Sequence, residues 1–175
     1  MELMEAIHTR RSIRKYQDRP VDDALVRELL GAAMVAPSAG NAQPWQYVVI
    51  RDRATLAGIK SFSPYAGMAA NAPLGILVCG DLSLEKYPGY WVQDCSAAVQ
   101  NLLLAAHGKG LGAVWTGVHT MSDREEGFAR LCNLPENVRP LAFVVLGWPD
   151  QAGRHEDRYK AERVHAERFG SPWQG

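Results

Sequence analysis

The sequence offers no cysteine framework: its three cysteines, Cys79, Cys95 and Cys132, are odd in number, far apart and never spaced C-x-x-C. That pattern argues against a disulfide-stapled fold and a zinc ribbon, and leaves reduced, buried thiols as the expectation. Net charge is lacking too, because 19 Lys and Arg balance 19 Asp and Glu. No global field draws such a protein onto nucleic acid or anionic lipid. No apolar run is long enough to span a bilayer, and Met1-Glu2-Leu3-Met4-Glu5 has neither the basic start nor the apolar core of a signal peptide. A cytoplasmic protein with no membrane or nucleic-acid partner is the expectation. The five histidines include no pair at metal-ligand spacing, and Ser12, Ser38 and Ser96 lack a nucleophile-elbow context, so neither a metal site nor a serine hydrolase is expected. Gly110 and Gly112 do not belong to a G-x-G-x-x-G and precede a strand instead of following one, which argues against a dinucleotide-binding βαβ unit.

What remains is the composition of one ordinary globular domain over residues 1–175, with 47% hydrophobic and 22% charged residues. Leu3, Met4 and Ile7 recur at helical spacing and predict a short first helix. Asp22 supplies an N-cap for a second helix whose apolar face carries Leu25, Val26, Leu29, Leu30 and Ala33, and Pro37 stops it. Strands are predicted at Gln46 to Ile50, Leu74 to Cys79, Ala113 to Thr116 and Leu141 to Leu146, with helices at Arg53 to Lys60 and Tyr90 to His107. Ser122-Asp123-Arg124-Glu125 reads as a capping box for a last helix reaching Cys132. Ser61 to Asn71 has weak periodicity and is either a ligand-covering segment or a plain connection. Strands this few, mixed with helices in no regular βαβ rhythm, predict an α+β fold: a three-layer sandwich around a small sheet.

Three segments carry candidate chemistry. Arg10-Arg11-Ser12-Ile13-Arg14 places three guanidiniums and a hydroxyl within five residues of a neutral chain. A guanidinium presents a planar fork of donors that matches phosphate oxygens two at a time. A solvated basic patch would explain the cluster if it stood alone. The second segment, Pro37-Ser38-Ala39-Gly40-Asn41-Ala42-Gln43-Pro44-Trp45, can bring backbone close to a flat ligand. Ordinary turn chemistry accounts for Pro37, Ser38 and Gly40 but not for Asn41, Gln43 and Trp45. The third is the end of a strand at Thr116-Gly117-Val118, where glycine permits close approach of a backbone amide.

Taken in order along the chain, these segments resemble the nitroreductase family of flavin mononucleotide (FMN) dependent oxidoreductases. The resemblance runs from Met4-Glu5-Ala6-Ile7 and the arginine segment through Ala36-Pro37-Ser38-Ala39, Asn41, Gln43, Pro44 and Trp45. It continues through Gly110-Leu111-Gly112, Trp115 and Val145-Leu146-Gly147-Trp148-Pro149 to Arg158-Tyr159 and Val164-His165. It implies a mostly antiparallel sheet flanked by helices and an interlocked homodimer with FMN at the subunit interface. It also implies that the tail from about residue 150 to 175 packs on the partner. Arg10, Arg11 and Ser12 are expected on the FMN phosphate or ribityl chain, and Arg14 at the pyrimidine edge of the ring. Pro37, Ser38, Ala39, Asn41 and Gln43 would come from the other subunit, and the backbone of Thr116, Gly117 and Val118 would lie near the central ring. In the tail, Arg158 matches a phosphate-binding base, with Arg154 as substitute. Glu156 stands where the family often has a further base, a departure that weakens the tail's part in the cage.

The expected reaction is ping-pong transfer from NADH or NADPH through flavin N5 to a nitroaromatic, quinone or similar acceptor. The cofactor carries the reactive group, in keeping with the absence of an acid–base dyad in the sequence. Specificity is expected in Ser61 to Asn71 and Ser83 to Trp91, with Tyr65, Tyr87, Tyr90 and Trp91 as possible roof residues. Dehalogenation, enone reduction, flavin fragmentation or simple FMN binding on the same fold are the rival readings.

Overall fold

Apolar runs such as Leu141 to Leu146 need cover on both faces, and the fold supplies it. The computed structural model describes residues 1–153 and 156–175. Among the described residues, five α-helices and four strands follow in the order α1 (Leu3–Thr9), α2 (Asp23–Met34), β1 (Trp45–Ile50), α3 (Arg53–Gly58), β2 (Leu74–Asp81), α4 (Trp91–Gly108), β3 (Gly112–Gly117), α5 (Ser122–Cys132) and β4 (Val138–Gly147). Short 3-10 segments lie between them, the longest at Pro64–Asn71. The strands form one antiparallel sheet in the order β1-β2-β4-β3, so β1 and β3 are its edges.

The pleat sends Val144 and Leu146 into the cluster with α2 and α4, and Phe143 and Val145 into the opposite cluster with Leu56, Ile59, Ala66, Ala69 and Phe128. Three layers result, as the sequence implied. Ser61 to Asn71 belongs to the lower layer: Ala66 and Ala69 are fully buried against the sheet.

Two sequence expectations need correction. The strand after Pro140 starts two residues before it, at Val138, because the register shifts between Val78 and Cys79 and sets Pro140 opposite Cys79. A proline costs a ladder hydrogen bond and is accommodated where a bulge has already interrupted the ladder. Ser122 is not the cap of α5 but its first residue, and the capping position Met121 has no side-chain bond. Glu125 reaches back further, accepting from the Thr120 amide at 2.7 Å and contacting His119 Nδ1 at 2.9 Å. The predicted cap at Asp22 is present, its carboxylate accepting from the Leu25 amide.

The apolar positions of α1 face outward: Leu3, Met4 and Ile7 are 67%, 55% and 45% exposed, and Ala6 alone of this helix is buried. No described helix is long and apolar enough to cross a membrane.

Candidate active site

The arginine segment leaves α1 and lies along the open edge of β3. Ser12 bridges Ala113 in parallel, and the Ile13 amide donates to the Ala113 carbonyl at 3.0 Å. Gly112 makes this docking possible, because a Cβ there would stand 2.5 Å from Ile13 Cγ2. The following residues are held by the stretch after β4: the Gln151 side-chain oxygen accepts from the amides of Arg14 and Lys15, both at 2.9 Å.

Docked in this way, the segment builds a cationic hollow. Arg10, Arg11, Ser12, Arg14, Gln151 and Arg158 line a cavity of about 450 Å³ with Glu156 as its one carboxylate. Its size falls within the range of ordinary ligand pockets, roughly 300–1,000 Å³. Burial and the neighbouring charges of Arg158 and Arg11 hold the Arg10 pKa below its ordinary value. Like charges gathered this way favour an anion among them. Arg11 donates through Nε to the Thr9 carbonyl at 2.8 Å, and its Nη1 is buried with no partner. Glu156 lies 3.7 Å from Arg158, a loose pair that leaves the cavity cationic. Arg154 lies outside the described residues.

Thr116, Gly117 and Val118 differ in what they can offer. The Thr116 hydroxyl donates to the Phe143 carbonyl at 2.7 Å, and the Val118 amide donates to Leu141 at 3.1 Å. Backbone direction alternates along a strand, and Ala113 presents its carbonyl to the arginine segment. Gly117, four residues on, therefore turns its amide to the same open side. Space around it is free, since a Cβ at Gly117 would meet nothing within 4 Å. The separation of four extended residues is about 13 Å.

The loop from Pro37 to Gln43 is not part of that hollow. It precedes β1, at the opposite edge of the sheet and about 14 Å away by strand spacing. Three of its residues are left-handed: Gly40, Asn41 and Gln43, with φ of 59°, 54° and 51°. The loop holds this shape by internal bonds, Gln43 N to Ser38 Oγ at 3.0 Å and Gln43 Nε2 to Asn41 Oδ1 at 3.1 Å. It is anchored to α4 by Asp94, which is 5% exposed and accepts from the Ala39 amide at 2.9 Å.

Sequence reasoning missed Gln151, Asp94 and Arg124. Nothing local marks a glutamine in a polar tail or an aspartate in an apolar helix as a partner of distant backbone. Arg124 was read only as part of a cap, yet its Nη1 donates to the Gly117 carbonyl at 2.7 Å.

An antiparallel sheet with helices on both faces and a cluster of guanidiniums along one open edge define an α+β protein whose edge hollow is cationic. The nitroreductase family model matches residues 7–66 and 60–148 of the chain. A protein of Methanothermobacter thermautotrophicus named NADH dehydrogenase/NAD(P)H nitroreductase is 51% identical over 97% of this chain and 88% of its own. A crystal structure from Parabacteroides distasonis bearing the same name superposes with a TM-score of 0.92 at 38% identity, over 95% of this chain and 98% of that one. A Desulfovibrio desulfuricans nitroreductase in complex with FMN superposes with a TM-score of 0.83 at 35% identity, over 97% and 98% of the two chains. The chain belongs to the nitroreductase family and is an oxidoreductase of that class.

Proposed function

We propose that the protein is an FMN-dependent NAD(P)H oxidoreductase. In our reading it passes electrons from a reduced nicotinamide to a nitroaromatic, a quinone or a similar acceptor. The observation that carries this reading is the cavity where four arginines meet one carboxylate, on the same edge strand as Gly117, around which the space is open. The donor set fits a nucleotide with a phosphate at one end and a flat ring about 13 Å along the edge. The relatives' names supply the cofactor and the donor: FMN in the Desulfovibrio complex and NAD(P)H in the Methanothermobacter protein.

FMN, when bound, supplies the two-electron redox chemistry. The chain's own residues bind and tune it. Arg10, Arg11, Ser12 and Arg158 hold the phosphate end. Arg14, lining the same hollow, would offer a cation to the flavin, whose reduced form carries negative charge that a fixed guanidinium would stabilise. The backbone of Gly117 would lie against the central ring and offer it an amide. Donor and acceptor take turns in one cavity, so turnover is ping-pong.

A second copy of the chain completes the site. Pro37, Ser38, Ala39, Asn41 and Gln43 lie at the far edge of their own sheet, out of reach of their own arginines. The outward apolar face of α1 and the exposed tail side chains, Phe169 at 94% and Trp173 at 52%, supply surface for the partner to cover. In this homodimer each loop meets the other subunit's arginine edge, and the tail packs on the partner.

The test is an absorption spectrum after FMN loading and desalting, followed by anaerobic addition of NADH and then NADPH. Retained yellow colour that either donor bleaches is the expected result. Loss of the flavin on desalting would overturn the reading of the arginine edge, and retained colour that neither donor bleaches would overturn the reductase.

A further inference from the structure

Beside Gly117 lies a second cation that the FMN reading leaves unused. Arg124, half-buried in the first turn of α5, spends one donor on the Gly117 carbonyl at 2.7 Å. Its guanidinium carbon sits 5.3 Å from the ring centroid of Tyr65, which is 75% exposed. The ring face steadies the guanidinium without neutralising it. Among the described residues no carboxylate pairs with Arg124, in contrast to Arg51, Arg53 and Arg130, which meet Asp23, Asp18 and Glu126. The adjacent Glu125 is turned away, its carboxylate bonded to His119 and to the Thr120 amide. A guanidinium has five donors in a planar fork, so Arg124 keeps most of its hydrogen-bonding capacity and its full charge at the rim of the site.

We infer that Arg124, held by Gly117 and Tyr65, is a specificity residue that receives the phosphate groups of the incoming nicotinamide dinucleotide. The inference rests on the FMN reading for the position of the ring beside Gly117. The chemistry follows from the donor's structure. Its reactive dihydronicotinamide is uncharged and has to stack over the flavin, while the rest of the molecule carries phosphates that extend beyond the ring. A cation tied to the same glycine backbone that faces the ring is placed to take that anionic end. It therefore contributes to capture of the donor more than to the transfer itself. Tyr65 adds an exposed aromatic face on which the sugar and base can rest.

The experiment compares the wild type with Arg124→Gln, which keeps a donor for the Gly117 carbonyl but removes the charge. Two donors are used on each: NADPH, and an uncharged N-benzyl dihydronicotinamide. The KM for NADPH should rise on the order of tenfold, the loss of one charge-assisted contact. The rate of flavin bleaching by the uncharged donor should stay unchanged, and Arg124→Lys should recover part of the NADPH affinity. An unchanged KM for NADPH would overturn the inference, and so would an equal loss with both donors, which would mark Arg124 as a support for Gly117 alone. The FMN reading fails separately, by the wild type not retaining flavin or by neither donor bleaching it.

Discussion

Gln151 and Arg14, 137 positions apart in the sequence, meet directly: the side-chain oxygen of one accepts the backbone amide of the other at 2.9 Å, and takes the Lys15 amide at the same distance. A residue beyond the last strand thus sets the course of the arginine segment along β3. Gln151→Ala removes two neutral hydrogen bonds, each contributing about 1 kcal/mol. We expect a fall of about 4–8 °C in Tm and a loss of about tenfold in FMN affinity, read by quenching of flavin fluorescence. An affinity equal to the wild type would show that the segment needs no such tether.

Crowding of Arg10 by Arg11 and Arg158 has a cost when the anion is absent. Arg10→Met keeps the apolar stem and removes the charge, so the apoprotein should be as stable as the wild type or more so. FMN binding should weaken by roughly one to two decades, as expected for a lost charge-assisted phosphate contact. Thermal scans with and without FMN check both signs, because bound ligand stabilises the fold by an amount that grows with the logarithm of its affinity.

Asp94 has only one of its two oxygens satisfied, by the Ala39 amide, while Oδ2 is buried without a partner. Asp94→Asn retains an acceptor for that amide and should fold normally. Asp94→Ala leaves the amide unpaired in a half-buried loop and should cost about 1–3 kcal/mol in denaturant unfolding. If Ala and Asn behave alike, the Asp94 bond does not hold the loop.

High pH should destabilise the fold. Burial pushes the Cys95 thiol up to about 12 and raises Cys79 further, from an ordinary value of 9.0; it likewise raises Tyr16 and Tyr47 above 10.0. Raised pKa values mean the folded state holds these protons when the unfolded chain releases them. Their stabilisation is complete below pH 9 and is lost as the pH climbs through the folded values. Tyr16 adds a structural reason, since its hydroxyl lies 2.5 Å from the Ile13 carbonyl and 3.1 Å from that of Val145. Tm measured from pH 8 to 11 should fall above pH 9. A flat profile would contradict the burial of these groups.

Much of the fold was legible because local rules and tertiary packing agree. The cap at Asp22 and the stop at Pro37 bracket α2, and the apolar runs of β2 and β4 are central strands covered on both faces. The arginine segment stood out by composition, but composition alone fits a solvated basic patch equally well, and only the fold brings Arg158 to the same hollow. What escaped depends on partners far along the chain. Pro140 reads as a strand breaker until the bulge opposite Cys79 is known. The tether from Gln151 spans 137 positions and that from Asp94 spans 55. Arg124 looked like part of a helix cap because it stands beside Glu125, while its side chain turns back to Gly117.

The decisive measurement is the FMN dissociation constant of an Arg10→Met, Arg14→Met double variant beside the wild type, with circular dichroism as the control for folding. Removing both charges from the edge of β3 should weaken binding by at least two decades, roughly 3 kcal/mol, while the spectrum of the fold is unchanged. Wild-type affinity in a folded double variant would mean that FMN, if it binds, sits elsewhere.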